Sequence, residues 1–436
     1  MTRRSIAAWQ AVHSWTSLAC TVFLLMLCLT GLPLIFHDEI DAALNPGGWT
    51  PANPGGEHLS LDAVLAIGLA ERPGEVPIFL SFDDDRPVVN LTTGPAADAP
   101  GSAMTMLSYD LTSGDLVPAG TVGEGVMHFL LQLHTDLFLG LPGMLFLGFM
   151  GLLFALSLLS GVVLYWPFTR RLRFGTVRRS QSRRVRWLDW HNLLGMAALG
   201  WLLLVGLTGV VNTLAEPIID TWRTRELAAL TAPYAGGEPP ARPSSLADAV
   251  AQAEAAAPAM DLQFVAFPGS DWSTPFHYAV FLHGRTPLTE QLARPVLVSA
   301  VDGRLAGSRE MPWYVKALAL SEPLHFGDYG GLLLKLVWAL LDLFAIAILV
   351  TGVYLWIARR RGTAGQGSSG AAAPAPRRLA PQSPAAVFRA PVLLLLLSGL
   401  GLAAALFVSG ALDAWAALAV ASSIAAVAWA RRYRAA

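Results

Sequence analysis

HSWTSLACTVFLLMLCLTG (residues 13–31) aligns without gaps on HNLLGMAALGWLLLVGLTG (residues 191–209), with seven identities in nineteen positions, among them the leading His and the closing Thr-Gly. A second pair repeats the pattern. Residues 134–166 laid on 325–357 share nine of thirty-three positions, including His134/His325, Gly161/Gly352, Val162/Val353 and Leu164/Leu355. Leucine matches arise readily between apolar segments. A His and a Gly at fixed separation do not, so the chain reads as one unit written twice.

The composition says where this duplication sits. Of 436 residues, 54% are hydrophobic and 14% charged, whereas globular proteins carry roughly a quarter charged residues. Several apolar runs reach the ~20 residues that cross a bilayer as a helix. Six spans are expected, at 13–36, 137–166, 190–214, 329–357, 390–409 and 411–430. The fold class is therefore a mostly α membrane protein of about six transmembrane helices. Two parallel repeats, related by a pseudo-twofold axis along the membrane normal, are followed by a C-terminal hairpin turning near Gly410. The first span exceeds a signal-peptide core and lacks a clear cleavage site, so it is read as retained. Cys20 and Cys28, both inside it, read as packing residues.

Arginine sets the orientation. Arg3 and Arg4 precede the first span, and Arg170, Arg171, Arg173, Arg178, Arg179, Arg183, Arg184 and Arg186 crowd the second connection. Arg359, Arg360, Arg361, Arg377, Arg378 and Arg389 fill the fourth, and Arg431, Arg432 and Arg434 follow the last span. All fall on one side, which the positive-inside rule makes cytoplasmic, with Trp166, Trp187, Trp190 and Trp356 at the same boundary. Both termini are then cytoplasmic. The net charge of −1 identifies no partner beyond the lipid bilayer, and nucleic acid is not expected.

The domain reading follows: span one at 1–36, a periplasmic module at 37–133, span two at 134–168, an Arg-rich cytoplasmic loop at 169–187 and span three at 188–214. A second periplasmic module at 215–324, span four at 325–358, a Gly/Ser/Ala/Pro-rich linker at 359–389 and the hairpin at 390–430 complete it. Each module predicts one helix (60–71; 245–256), three strands (76–82, 86–92, 104–110; 261–267, 276–283, 295–301) and a late turn (Thr112–Asp115; Asp302-Gly303). These are small α+β modules.

Four histidines carry the chemistry. Imidazole is costly in a bilayer and ligates haem iron readily. His13 and His191 begin the odd-numbered spans, and His134 and His325 begin the even-numbered ones. The pseudo-symmetry pairs His13 with His191 at the cytoplasmic side and His134 with His325 at the outer side, as axial ligands of two haems. The bland alternative is interfacial histidines that cap apolar helices. In an unbroken helix Gly31 shares a face with His13, and Gly209 with His191, leaving room for a neighbouring helix or a flat cofactor. Asp189, Asp136 and Glu322 are the nearby candidates to hold the second ring nitrogen.

Further candidates are weaker. His128 reads as an alternative ligand, a substrate-site residue or a surface histidine. His277 and His283 share one strand face and are expected to be exposed; His37 has no counterpart, and His58 falls in a loop. Asp342, inside the fourth span, reads as a proton carrier, a balance for haem charge, a hydrogen-bond acceptor for a His, or a protonated packing residue. Lys335 could snorkel or meet a haem propionate. No G-x-G-x-x-G, P-loop, C-x-x-C-H or C-x-x-C pair occurs, so any haem is b-type and electrons must come from outside the chain.

The two His…Thr-Gly segments resemble the first helix of the PepSY-associated transmembrane family. GVVLYWPFTRR and GVYLWIARRR are similar to its even-numbered helix ends, and YDLTSGDLV to the terminal turn of a PepSY module. The resemblance covers about residues 1–360. The family includes ferric-siderophore reductases of the bacterial inner membrane that carry two b haems. It implies bis-His ligation by His13, His191, His134 and His325, PepSY-like outer modules, and reduction of a periplasmic ferric siderophore. The C-terminal hairpin departs from many members. The expected activity is that of a membrane ferric-siderophore reductase taking electrons from quinol or a cytoplasmic reductase. The alternatives are a membrane-anchored binding or sensor protein without enzymatic activity, and a transporter.

Overall fold

The computed structural model describes residues 1–44, 50–51, 53, 55–83, 86–117, 125–234, 239–240, 242–364, 380–408 and 411–433. Arg377, Arg378, Arg434, the turn at Gly410 and residues 365–379 of the expected linker lie outside the described residues. In chain order the first part contains α1 (Arg3–Leu34), α2 (His37–Leu44), α3 (Leu61–Glu71), β1 (Val76–Phe82), β2 (Val88–Gly94), β3 (Thr105–Asp110), α4 (Val126–Thr135) and α5 (Leu141–Thr169). The middle part contains α6 (Arg183–Ala197), α7 (Leu199–Asn212), α8 (Ala215–Trp222), α9 (Ala228–Thr231), α10 (Leu246–Ala256), β4 (Met260–Ala266) and β5 (His277–Gly284). After these come α11 (Pro287–Glu290), β6 (Arg294–Ser299), β7 (Leu305–Ser308), α12 (Trp313–Phe326), α13 (Gly331–Ala364), α14 (Pro384–Ala405) and α15 (Ala411–Tyr433). They form two units: Met1–Ile40, Val126–Leu214 and Ser321–Ala436 in the first, Asp41–Gly125 and Ala215–Leu320 in the second.

The first unit is helical. Among the described residues, α1, α5, α13, α14 and α15 are each long and apolar enough to cross a membrane, and α6 with α7 makes a sixth span if the two count as one. Helix α1 packs on α5 and α13, α5 on α7, and α6 on α13, so four spans close into a ring. Val22, Leu29, Phe149, Leu152, Leu159, Leu343 and Val350 are exposed on the spans of this ring. A soluble bundle would bury such side chains; lipid solvates them. Helices α14 and α15 pair with each other, α14 against α7 and α15 against α6 and α13. Their approach is close at Gly401, where a β-carbon would lie 2.8 Å from the Ala416 carbonyl oxygen. The buried Trp201 and Trp338 meet edge to face at 5.9 Å in this part of the core.

The third span is not straight. Helices α6 and α7 are bent by 66° at Ala198, so the expectation of one continuous helix carrying His191 and Gly209 on a single face does not hold. Hydrogen bonding continues through the bend, from Ala198 N–H to Leu194 O at 2.9 Å and from Leu202 N–H to Ala198 O at 2.9 Å. Just beyond it, Gly200 meets Leu395 and Ser398 of α14. Contact with the C-terminal hairpin thus accompanies the bend.

The second unit holds one seven-stranded antiparallel sheet in the order β3-β2-β1-β4-β5-β6-β7. The two expected α+β regions share this one sheet: β1 pairs with β4 through Phe79↔Ala266, Leu80↔Val265 and Ser81↔Phe264. Pairing the two strands removes an open edge from each region. Helices α3 and α10 lie over one face, where Val64, Leu246 and Val250 pack with Leu80, Val89, Val265 and Val280. Trp222, Leu227, Met311 and Val315 cover the other, against Ala279, Phe281 and Leu297. Asp62 ties the two helices together, accepting from Ser245 Oγ at 2.6 Å and from the N–H groups of Leu246 at 2.8 Å and Ala247 at 3.2 Å. That is a helix N-terminus capped from outside its own segment.

Strand β5 is central and covered on both faces, and all eight of its residues are buried. His277 and His283 are therefore not exposed, as their alternation suggested, but 0% and 9% accessible. His277 Nδ1 meets Thr274 Oγ1 at 2.6 Å, and its ring lies edge-on to Tyr234 at 4.5 Å.

Candidate functional site

The four histidines come together in two pairs. The ring centres of His13 and His191 are 6.4 Å apart, and those of His134 and His325 are 6.2 Å apart. In the first pair the rings come from α1 and α6, which face each other across the ring of spans. In the second they come from α4 and α12, the short helices ahead of α5 and α13. Along the unbroken α1, His13 and the glycine that touches His134, Gly31, are 18 residues apart, about 27 Å at 1.5 Å per residue. The two pairs thus lie near opposite ends of the bundle.

One local arrangement serves all four rings. His13 Nδ1 lies 2.9 Å from Ser157 O and 3.1 Å from Ser160 Oγ. His191 Nδ1 lies 3.2 Å from Ile348 O and 3.1 Å from Thr351 Oγ1. His325 Nδ1 lies 3.0 Å from Val205 O and 3.4 Å from Thr208 Oγ1. His134 Nδ1 lies 2.9 Å from Thr30 Oγ1 and bonds the Leu27 carbonyl. In every case the carbonyl belongs to residue i, the hydroxyl to i+3 and a glycine to i+4: Gly161, Gly352, Gly209 and Gly31. The glycine lies beside the ring, so a β-carbon there would meet Cε1 at 3.3 Å for Gly161 and 3.6 Å for Gly352.

These contacts fix the tautomer. Each hydroxyl already donates to a carbonyl of its own helix: Ser160 to Ser157 O, Thr351 to Ala347 O, Thr30 to Met26 O and Thr208 to Leu204 O. Its oxygen can then only accept, as the neighbouring carbonyl does. Nδ1 must carry the proton and donate, leaving the lone pair on Nε2 free at the opposite side of the ring. A metal-ligating histidine is usually held in this way, by a carbonyl or hydroxyl on its other nitrogen.

The spacing fits one metal between two rings. A metal–imidazole bond is about 2.0 Å and a ring nitrogen lies about 1.2 Å from the ring centre, so imidazoles on opposite sides of one metal have centres about 6.4 Å apart. The ring planes differ by 79° and 64°, which rotation about each metal–nitrogen bond allows. Among the described residues no group of three or more His, Cys, Asp or Glu could hold a metal ion. Two axial imidazoles suit a metal that brings its own equatorial ligands, as in a porphyrin.

Other expected residues take different places. Asp189 does not hold His191. Its carboxylate accepts from Arg178 N–H and Nε at 2.9 Å and from Nη2 at 2.6 Å. Asp136 Oδ1 accepts from the Phe138 N–H at 2.8 Å, and Glu322 is not among the partners of the four rings. His128 is half-buried on α4 and belongs to neither pair. His37 Nε2 lies 2.9 Å from the carboxylate of its neighbour Asp38, and His58 is exposed. Lys335 is buried and its Nζ bonds Glu39 at 3.0 and 3.1 Å. Asp342 is 6% accessible within α13, with Oδ2 buried and unpartnered. The supporting Ser157, Ser160, Ile348 and Thr351 were not singled out from sequence, although a hydroxyl stands directly before each of the four glycines.

Residues 10–359 match the family described as the PepSY-associated TM region. A relative from Pseudomonas aeruginosa, itself described as an uncharacterized protein, is 30% identical over 255 residues. That alignment spans 54% of this chain and 64% of the relative, less than two thirds of its length.

Proposed function

From the premise that the chain belongs to the PepSY-associated TM region family, we propose that it is a haem b-containing oxidoreductase of the bacterial inner membrane that passes electrons to a periplasmic ferric siderophore. The observation supporting this most directly is the pair of ring spacings, 6.4 and 6.2 Å, each between imidazoles whose Nδ1 atoms are already engaged. His13 and His191 would hold one haem, and His134 and His325 the other. When bound, haem supplies a reversible one-electron change at iron; the protein supplies placement, polarity and exclusion of competing ligands.

The chain's own residues do the rest. The hydroxyl–carbonyl pairs hold the ring proton on Nδ1 and leave Nε2 free, and the glycines make room for each ring against the neighbouring helix. Placement near opposite ends of α1 gives electrons an entry and an exit on different sides of a hydrocarbon layer of about 30 Å. Arginines at the ends of α5, α13 and α15 favour the His13–His191 end as cytoplasmic, where quinol or a cytoplasmic reductase would donate. The α+β unit is then periplasmic. Reduction loosens the siderophore's grip, because hard oxygen donors suit Fe(III) better than softer Fe(II).

A pyridine-haemochrome assay on the purified protein tests the reading. Two b haems per chain are expected, falling to one in His13→Ala or His191→Ala. The dithionite-reduced protein should reoxidise on addition of a ferric siderophore. Protein that binds no haem would sink the redox reading and leave the anchored binding protein or the transporter.

A further inference from the structure

Asp342 is the one carboxylate of α13 and is nine-tenths buried, and among the described residues its Oδ2 has no hydrogen-bond partner. Across the α1–α13 interface its carboxyl faces the Cys28 thiol of α1. Cys28 stands between Leu27 and Thr30, the two residues whose carbonyl and hydroxyl hold His134. The acid is therefore within about one helical turn, 5.4 Å of rise, of the support for that ring. Its equivalent in the first half of the chain is Gly151, and that of Cys28 is Gly206. Gly151 is packed by Val210 and the Gly206 carbonyl, and Gly206 by Phe154. The bundle closes without an acid on that side, so packing alone does not call for one on this side.

A carboxylate in a low-dielectric interior is costly, and an oxygen without a donor makes the ionised form costlier still. The energy of that charge depends strongly on any charge nearby. We infer that Asp342, with Cys28, is a proton-binding site coupled to the redox state of the His134–His325 centre. This rests on the proposed electron-carrying role of that pair. One electron from the conduit's donor reaches the centre, and one proton from the aqueous phase binds a carboxylate oxygen of Asp342. When the electron leaves, the proton is released. No bond other than O–H forms or breaks.

Other charged groups near α13 include Glu322 on α12 and Asp328 between α12 and α13. Lys335, seven residues and two turns earlier on the same helix, is matched by Glu39 and Asp38. Asp413 lies at the start of α15, and His191 on α6 belongs to the other ring pair.

Redox titration of the haem-loaded protein at a series of pH values tests the coupling. One of the two centres should shift its reduction equilibrium tenfold per pH unit, about 59 mV for one electron. The shift should disappear in Asp342→Asn and persist in Asp342→Glu and in the control Asp413→Asn. Redox-difference infrared spectra should show a protonated-carboxyl band on reduction, absent from Asp342→Asn. Potentials that do not move with pH, an unchanged slope in Asp342→Asn, or a slope lost in Asp413→Asn would each overturn the inference while leaving haem binding intact. Protein without haem would instead fail the redox reading itself.

Discussion

Gly209 lies against the imidazole of His325: a β-carbon at that glycine would sit 3.0 Å from Cε1 and 3.4 Å from Nδ1. The corresponding distance is 3.1 Å for Gly31 and His134, 3.3 Å for Gly161 and His13, and 3.6 Å for Gly352 and His191. Alanine substitutions should therefore be graded. Gly209→Ala and Gly31→Ala push their rings out of line, Gly161→Ala does so less, and Gly352→Ala adds only ordinary contact. Low-spin haem signals in electron paramagnetic resonance would record that order; equal effects at Gly352 and Gly209 would contradict it.

The hydroxyls should tune the centres without building them. Thr30→Val, Ser160→Ala, Thr208→Val and Thr351→Val each leave the backbone carbonyl in place and remove one of two acceptors for Nδ1–H. Haem content should stay near two per chain, while the affected centre shifts by about 1 kcal/mol, the usual net value of one hydrogen bond. Potentiometry separates the two centres. Complete loss of haem from any of these variants would mean that the hydroxyl is essential, not auxiliary.

The sheet should be acid-sensitive through His277. Burial holds its pKa below the ordinary value of 6.5. The folded form therefore stays neutral where the unfolded chain already binds a proton, and stability falls as pH drops below about 6.5. The melting transition of the α+β unit, followed by near-ultraviolet circular dichroism, should move down between neutral and mildly acid pH. It should move less in His277→Asn. A transition insensitive to pH in the wild-type protein would refute this assignment.

Asp62→Ala removes three hydrogen bonds at the start of α10. A lost helix cap typically costs about 1 kcal/mol, and up to about 2. The α+β unit should melt earlier by that amount, with the haem spectrum unchanged. Asp62→Asn, which keeps one acceptor, should fall between the two.

Much of this was legible in the chain because it is local. Helix α3, helix α10 and six of the strands follow from caps and alternation to within two residues. The ring pairs follow from fixed spacing between His and Gly. The remainder is non-local. Nothing near Phe79 shows that it will lie beside Ala266, so the joining of the two regions in one sheet is not legible locally. Periodicity cannot tell that β5 is central, so His277 looked exposed. Helical spacing places Gly31 with His13 and Gly209 with His191, whereas Gly31 serves His134 and Gly209 serves His325, each on another helix. The bend at Ala198 has no proline to announce it.

Each half of the chain, α1 to α5 or α6 to α13, gives one ring to each pair and carries its own carbonyls, hydroxyls and glycines for both. A half by itself would present two finished but solitary ligands, some 27 Å apart by helical rise, and could grip nothing between them. A metal group held by both pairs would be stitched across the seam of the molecule at both ends. By mass action its binding would favour the joined form over the parted one, tying cofactor supply to the integrity of the membrane bundle.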